Sequence, residues 1–303
     1  MHGTVLSGTG GVWRVLADDG ETYECALRGR VKQGNVKLAV GDAVSLERGD
    51  RGDGYAIAEI LPRRSQLARR TPGGGHGERI VAANVDQVVV VFALVKPVPH
   101  TRMLDRFLVI AEANELAARV VVNKVDLASE DEATVLFADY PAAGYPLHFT
   151  STKSGGRGLD TLHAALHGRT SVLTGPSGVG KSSLLNALYP GLRLRVGEIS
   201  ESVNKGRHTT VGALLHPLPD GGFVADTPGL REIGMWGLDP SQLDECFPEF
   251  RPLTPLCRFG DCTHTVEPGC AVLEALGRRE LSAARHESYV KLRQDLAEAA
   301  HLW

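Results

Sequence analysis

The residues with the clearest capacity for chemistry form the run Gly175-Pro176-Ser177-Gly178-Val179-Gly180-Lys181-Ser182-Ser183. It fits the spacing G-x-x-x-x-G-K-[ST], with Gly175, Gly180, Lys181 and Ser182 at the fixed places. An apolar stretch at 170–174 precedes it and a helical pattern follows, which is the setting such a loop requires. Glycines let the backbone curl until its N–H groups face phosphate oxygens, and the helix start adds its positive dipole end. Lys181 then reaches the β- and γ-phosphates, and Ser182 Oγ is placed to ligate Mg²⁺.

Asp226-Thr227-Pro228-Gly229 follows a second apolar stretch, 222–225. In phosphate-loop enzymes a carboxylate there holds Mg²⁺, and the Gly229 N–H would approach the γ-phosphate. Asn123-Lys124-Val125-Asp126 follows the strand-like RVVV. The Asp126 carboxylate can accept two hydrogen bonds from guanine N1–H and N2–H₂; adenine presents no such donor pair. Asn123 would brace the neighbouring loops, and the Lys124 stem would cover the base. Thr150-Ser151-Thr152-Lys153 fits a companion loop on the base's other side. Leu230 stands where many GTPases carry a water-positioning Gln. His208, in the switch-like segment GRHTT, is the nearest candidate for that task; the other reading is a solvated loop histidine.

Cys257-x4-Cys262-x-His264-x5-Cys270 offers three thiolates and one imidazole, a set that suits tetrahedral zinc with no open position. The other reading is buried free thiols. Cys25 and Cys246 stand apart and read as core residues. An odd, clustered set of five cysteines argues for a reduced compartment and a metal site rather than a disulfide framework.

The elements that must position these groups follow from length and pattern. A chain of 303 residues holds two or three domains at roughly 100–200 residues each. Its 43% hydrophobic and 23% charged residues exclude disorder over most of its length. The longest apolar run, Val88 to Val95, is far short of the about 20 residues a membrane helix needs. The start shows no signal-peptide pattern, so a cytoplasmic protein is expected. Net charge is −3, so any nucleic-acid contact must be local.

Residues 1–61 read as five short strands (4–7, 11–17, 22–27, 42–48 and 54–61), which suit a five-stranded OB-type barrel or another small β domain. Residues 62–79 read as a mobile charged linker; the alternative is an arm whose arginines meet phosphates. From 80 to 236, strand candidates 86–93, 119–122, 147–150, 170–174 and 222–225 alternate with helical stretches 102–117, 129–139, 158–167 and 181–189, implying a mostly parallel sheet. The cysteine cluster and a helical end at 271–300 complete the chain.

Motif order is informative. In ordinary GTPases the phosphate loop comes first and the base readers last. Here 123–126 and 150–153 precede 175–183, 206–210 and 226–229, so the unit is circularly permuted. This order, together with DTPGLREIGMW, CRFGDCTHTVEPGCAV and RHESY, resembles the RsgA family of bacterial GTPases that depend on the small ribosomal subunit. The resemblance spans nearly the whole chain. It implies an α/β multidomain protein with an OB-fold RNA-binding domain at 1–66, a linker at 67–79, a circularly permuted GTPase at 80–236 and a zinc-binding helical domain at 237–303. It implies late maturation of the 30S subunit, contact with 16S rRNA, and GTP hydrolysis that is slow until the subunit stimulates it. It makes His208 the catalytic aid beside Lys181. Ser182, Thr210 and Asp226 would meet Mg²⁺, with Thr209 an alternative to Thr210. Cys257, Cys262, His264 and Cys270 would hold one structural zinc. A monomer binding GTP and GDP is expected, with Arg63, Arg64, Arg69, Arg70 and Arg79 as RNA contacts. Two other classes stay in view: a nucleotide-dependent binding module with negligible hydrolysis, and an ATP-dependent kinase, which Asp126 argues against.

Overall fold

The computed structural model describes residues 1–32, 36–49, 54–70, 78–153, 155–192, 194, 213–226 and 238–301. The first unit is a closed barrel of β1 (His2–Thr9), β2 (Val12–Ala17), β3 (Thr22–Leu27), β4 (Ala43–Arg48) and β5 (Tyr55–Ile60), with a short helix α1 (Gly29–Lys32) after β3. Val5, Val15, Cys25, Val44, Leu46 and Ile57 fill its interior from alternate strand positions.

The stretch expected as a linker is partly built into the fold. β6 (Gln66–Arg70) pairs antiparallel with β7 (Glu78–Ala83), and residues between them lie outside the description. Arg63 Nε and Nη2 donate to the buried Asp42 carboxylate at 2.6 and 2.8 Å, and Arg64 pairs with Asp86. Leu6 and Val40 of the barrel share one apolar cluster with Leu67, Ala82 and Val85, so the barrel is packed onto the β6–β7 hairpin.

The central sheet comprises β8 (Gln87–Ala93), β9 (Ala117–Asn123), β10 (Leu147–Thr150), β11 (Thr170–Thr174), β12 (Leu214–Pro217) and β13 (Phe223–Asp226). Its order is β10-β9-β8-β11-β13-β12, and only β12 runs antiparallel. β8 and β11 are buried along their whole length, as β-branched central strands covered on both faces should be. Helices α2 (Thr101–Glu112), α3 (Glu130–Phe137), α4 (Asp139–Ala142), α5 (Leu159–Leu166) and α6 (Lys181–Leu188) connect the strands. α3 opens on a reciprocal capping box between Ser129 and Glu132.

Residues 238–270 hold short 3₁₀ turns and the cysteine loops, then come α7 (Ala271–Gly277) and α8 (Ala283–His301). Phe247, Phe250, Tyr289 and Leu292 join the same core as Leu104 and Leu108 of α2. No described helix is long and apolar enough to cross a membrane.

Candidate nucleotide site and Cys/His cluster

The described nucleotide loops, at 123–126, 150–153 and 175–180, each leave the carboxyl end of a parallel strand, the end where open α/β sheets bind ligands. Residues 175–180 join β11 to α6. Gly175 has φ +134° and Gly180 φ +97°. A Cβ on Gly175 would lie 2.0 Å from Val91 O, and one on Gly180 2.6 Å from Asn123 Nδ2. Only glycine therefore lets the loop lie against β8 and β9. Lys181 is 5% exposed, and its Nζ donates to the carbonyls of Gly175 and Pro176 at 2.8 Å each. Its ammonium thus sits inside the loop's curl. Pro176 and Ser183 are half-buried, Ser177 and Gly178 are exposed, and Val179 and Ser182 are buried.

The candidate base-reading residues meet this loop directly. Asn123 ends β9; its Nδ2 donates to Val179 O at 2.9 Å, and its Oδ1 accepts from Thr150 Oγ1 at 3.2 Å. Lys124, with φ +62°, donates from Nζ to Lys96 O and Gly178 O at 2.5 Å each. Val125 is buried and begins the turn that presents Asp126 to solvent. Asp126 Oδ1 accepts from Ser151 Oγ at 2.6 Å, while Oδ2 has no partner among the described residues. Lys153 N donates to Ser151 Oγ at 3.1 Å, with Thr152 between them. One carboxylate oxygen is thus fixed by the companion loop and the other faces out.

Asp226 ends β13 beside β11, its backbone level with Leu173. His208, Thr209, Thr210, Gly229 and Leu230 lie outside the described residues.

In the C-terminal unit the ligand atoms of Cys257, Cys262, His264 and Cys270 all lie within 4.8 Å of one another. Cys257 Sγ is 3.6 Å from His264 Nδ1 and 3.9 Å from Cys270 Sγ; Nδ1 is 3.4 Å from Cys270 Sγ. Tetrahedral zinc with its usual bond lengths spaces such atoms about 3.5–3.8 Å apart, so the set fits that ion. Burial first, then the hydrogen bond to Cys270 and the neighbouring Cys270 and Cys257 sulfurs, push the Cys262 thiol up to about 12; a divalent cation among the sulfurs acts in the opposite direction. The far nitrogen, His264 Nε2, faces Asp244 Oδ2 at 3.4 Å, the carboxylate–histidine arrangement that orients a metal ligand. Glu267 ties the loop: Thr263 N, Thr265 N and Val266 N donate to it at 2.9, 3.0 and 3.1 Å.

One turn of α8 fastens this loop to the central domain. His286 Nε2 donates to His264 O at 2.8 Å and Tyr289 OH to Thr263 O at 2.9 Å. Arg285, 3% exposed, donates from Nη1 to Asp105 of α2 at 2.6 Å and from Nε to Glu249 at 2.7 Å. Its guanidinium also lies over the Phe247 ring, 4.6 Å from the centroid.

The pattern of the RsgA GTPase family matches residues 60–236, and that of the RsgA N-terminal domain matches residues 2–56. The chain belongs to the RsgA GTPase family. The small ribosomal subunit biogenesis GTPase RsgA of Gemmatimonas aurantiaca is 60% identical over 298 residues, 97% of each chain. The protein of that name from Bacteroides fragilis is 36% identical over 308 residues, 99% of each chain. The crystal structure of YjeQ from Thermotoga maritima superposes with a TM-score of 0.81 at 36% identity, covering 98% of each chain. That of YloQ, a circularly permuted GTPase, gives 0.77 at 30% identity, covering 98% of this chain and 95% of the other. The chain is accordingly a GTP-hydrolysing P-loop enzyme.

Within this RsgA-type arrangement two contacts are invisible in the sequence. Lys96 O anchors Lys124, and nothing in KPVPH signals a carbonyl aimed at a lysine 28 positions away. Arg285 is visible only as part of RHESY; its partner Asp105 is 180 positions distant.

Proposed function

We propose that the chain is a guanine-nucleotide switch that assists late maturation of the 30S subunit, binding 16S rRNA and hydrolysing GTP slowly until the subunit stimulates it. The observation that carries the guanine assignment is the Asp126 carboxylate, held at one oxygen by Ser151 and open at the other. Asn123, Lys124 and residues 150–153 shape the base pocket, and residues 175–183 cradle the phosphates. The subunit assignment rests on the name shared by the relatives.

Magnesium bound with GTP neutralises charge on the phosphates; Ser182, Asp226 and Thr210, or Thr209 in its place, are the residues to hold it. Gly229 N–H serves the γ-phosphate. Lys181 supplies positive charge to the phosphate oxygens. Leu230 offers no polar atom to the attacking water, so His208 is assigned that task. Cys257, Cys262, His264 and Cys270 hold one structural zinc. Arg69, Arg70 and Arg79 are assigned to RNA, whereas Arg63 and Arg64 already meet Asp42 and Asp86. The chain acts as a monomer in the cytoplasm.

The test is GTP turnover with and without purified 30S subunits, using wild type and His208→Ala. Strong stimulation of wild type, mostly lost in the variant at unchanged GTP affinity, is the expected result. No stimulation would favour a binding module, and equal rates in both proteins would make His208 a bystander.

A further inference from the structure

At the amino ends of the strands, opposite the nucleotide loops, a second polar cluster has no role in the chemistry above. Gln87, 1% exposed, donates from Nε2 to Ala165 O and Ser171 Oγ at 2.8 Å each. Those two acceptors fix the amide so that Oε1 faces Arg119, whose Nε donates to it at 2.8 Å. Arg119 Nη1 donates to His148 Nε2 at 2.8 Å. His148 therefore accepts at Nε2 and carries its proton on Nδ1; burial and the adjacent guanidinium hold its pKa below the usual histidine value. Both partners of Arg119 are neutral, so its charge stays uncompensated.

Other arginines of the fold find acids: Arg28 meets Glu47, Arg63 meets Asp42, Arg251 meets Glu112, and Arg285 meets Asp105 and Glu249. At this edge Asp86 is paired with Arg64, and the charge of the exposed Arg169 also acts on it, while no acid is paired with Arg119 among the described residues. Three guanidinium groups stand against one carboxylate. Burial and the charge of Arg169 both disfavour the Arg119 cation, a cost that a bound anion would relieve. Arg119 Nη2 has no partner among the described residues. A guanidinium already immobilised at two nitrogens loses little freedom on meeting a phosphate, whose oxygens match its fork.

We propose that the edge formed by Arg119, His148 and Arg169 is a docking surface for the phosphate backbone of RNA. This rests on the ribosomal reading above and adds an RNA-facing surface on the GTPase domain, apart from the β6–β7 arginines.

The test is binding of the full chain, loaded with a non-hydrolysable GTP analogue, to 30S subunits across a range of salt. Arg119→Gln and Arg169→Gln are each expected to bind severalfold more weakly. Their log–log salt slopes should be shallower by about 0.9 for each phosphate no longer neutralised on a duplex-like backbone, or about 0.7 on single strands. Arg169→Lys should keep the wild-type slope. Unchanged affinity for the GTP analogue verifies the fold, and Arg169→Gln, at an exposed position, covers the case in which Arg119→Gln fails to fold. Wild-type affinity and slope in Arg169→Gln, with any soluble Arg119→Gln protein agreeing, would overturn the proposal. If wild type itself ignored the subunit, the ribosomal reading would fall. The edge would then be decided by NMR of Arg119 Nε and His148 on adding a short RNA duplex. Saturable shifts that Arg169→Gln weakens support it; no shift, or shifts with polyglutamate alone, overturns it.

Discussion

In the nucleotide cradle each described loop leaves a parallel strand of the central sheet, and loop-to-loop bonds such as Asn123 to Val179 O add to that support. In the Cys/His unit the regular elements of residues 238–270 are 3₁₀ turns alone, and the loops are held by Glu267 and α8 around a Cys/His cluster compatible with a zinc site. The first region gets its shape from the core beneath it; the second has almost no backbone ladder of its own. A small, loop-rich region of this kind needs a staple. The difference teaches that the two sites should fail separately, although one hydrophobic core runs under both.

Metal removal gives the largest expected effect. Structural zinc contributes on the order of 10 kcal/mol to folding of comparable small sites. A strong chelator, or Cys270→Ser, should open residues 238–301 to protease while binding of a fluorescent GTP analogue persists. Loss of both together would break the comparison and make the cradle dependent on the cluster.

Next comes the seam itself. Arg285→Met leaves Asp105 and Glu249 facing each other in a buried site without their cation. Removing one partner from a buried ion network costs about 3–5 kcal/mol, to be read from denaturant midpoints. Asp105→Asn in the same chain should recover part of it, because the double variant strands less charge. No loss in Arg285→Met would mean that apolar packing alone joins the two units.

How much of this is legible in the sequence depends on the range of each interaction. The phosphate loop, the base-reading motif and the cysteine spacing are local patterns, so residue types and spacing carry them. The permuted order is equally readable, because motif order survives wherever the chain is cut. The β6–β7 hairpin is hidden by its composition: charged and Gly-rich sequence reads as a solvated linker, and its pairing does not show. β12, LLHP, carries no β-branched residue and ends on a proline, so it lacks a strand signal that the equally short β10 and β13 retain. Arg63 reads as a solvated or phosphate-reaching side chain, yet it is bonded to Asp42 in the barrel. Nothing local in either residue's neighbourhood announces the other. The seam through Arg285 is the extreme case, an interaction of large energy between positions 180 apart.

Within the cradle, base choice should rest on one carboxylate. Asp126→Asn removes a charge-assisted pair of acceptors for guanine, worth about 2–4 kcal/mol of GTP affinity. The new amide can donate to a C2 oxygen, so xanthosine triphosphate should become the preferred nucleotide in competition titrations. Retained GTP affinity would show that the base is read elsewhere. Stability should barely change, since Asp126 is exposed.

Thr150→Val probes the support beneath that carboxylate and gives the smallest expected effect. Thr150 is fully buried, and its hydroxyl donates to Asn123 Oδ1. Valine keeps the shape and removes the donor, leaving a buried carbonyl oxygen unpaired at a cost of about 1 kcal/mol or somewhat more. Asn123 still holds Val179 O through Nδ2, so the loop shifts rather than opens. GTP and GDP affinities should fall together by about fivefold, the equivalent of 1 kcal/mol, with guanine preference intact because Asp126 and Ser151 are untouched. Isothermal titration with GTP, GDP and ATP would decide. A change in base preference would mean that Asn123 orients Asp126 as well as the phosphate loop. A loss as large as that of Asp126→Asn would mean that the cradle leans on single side-chain bonds as heavily as the Cys/His unit does.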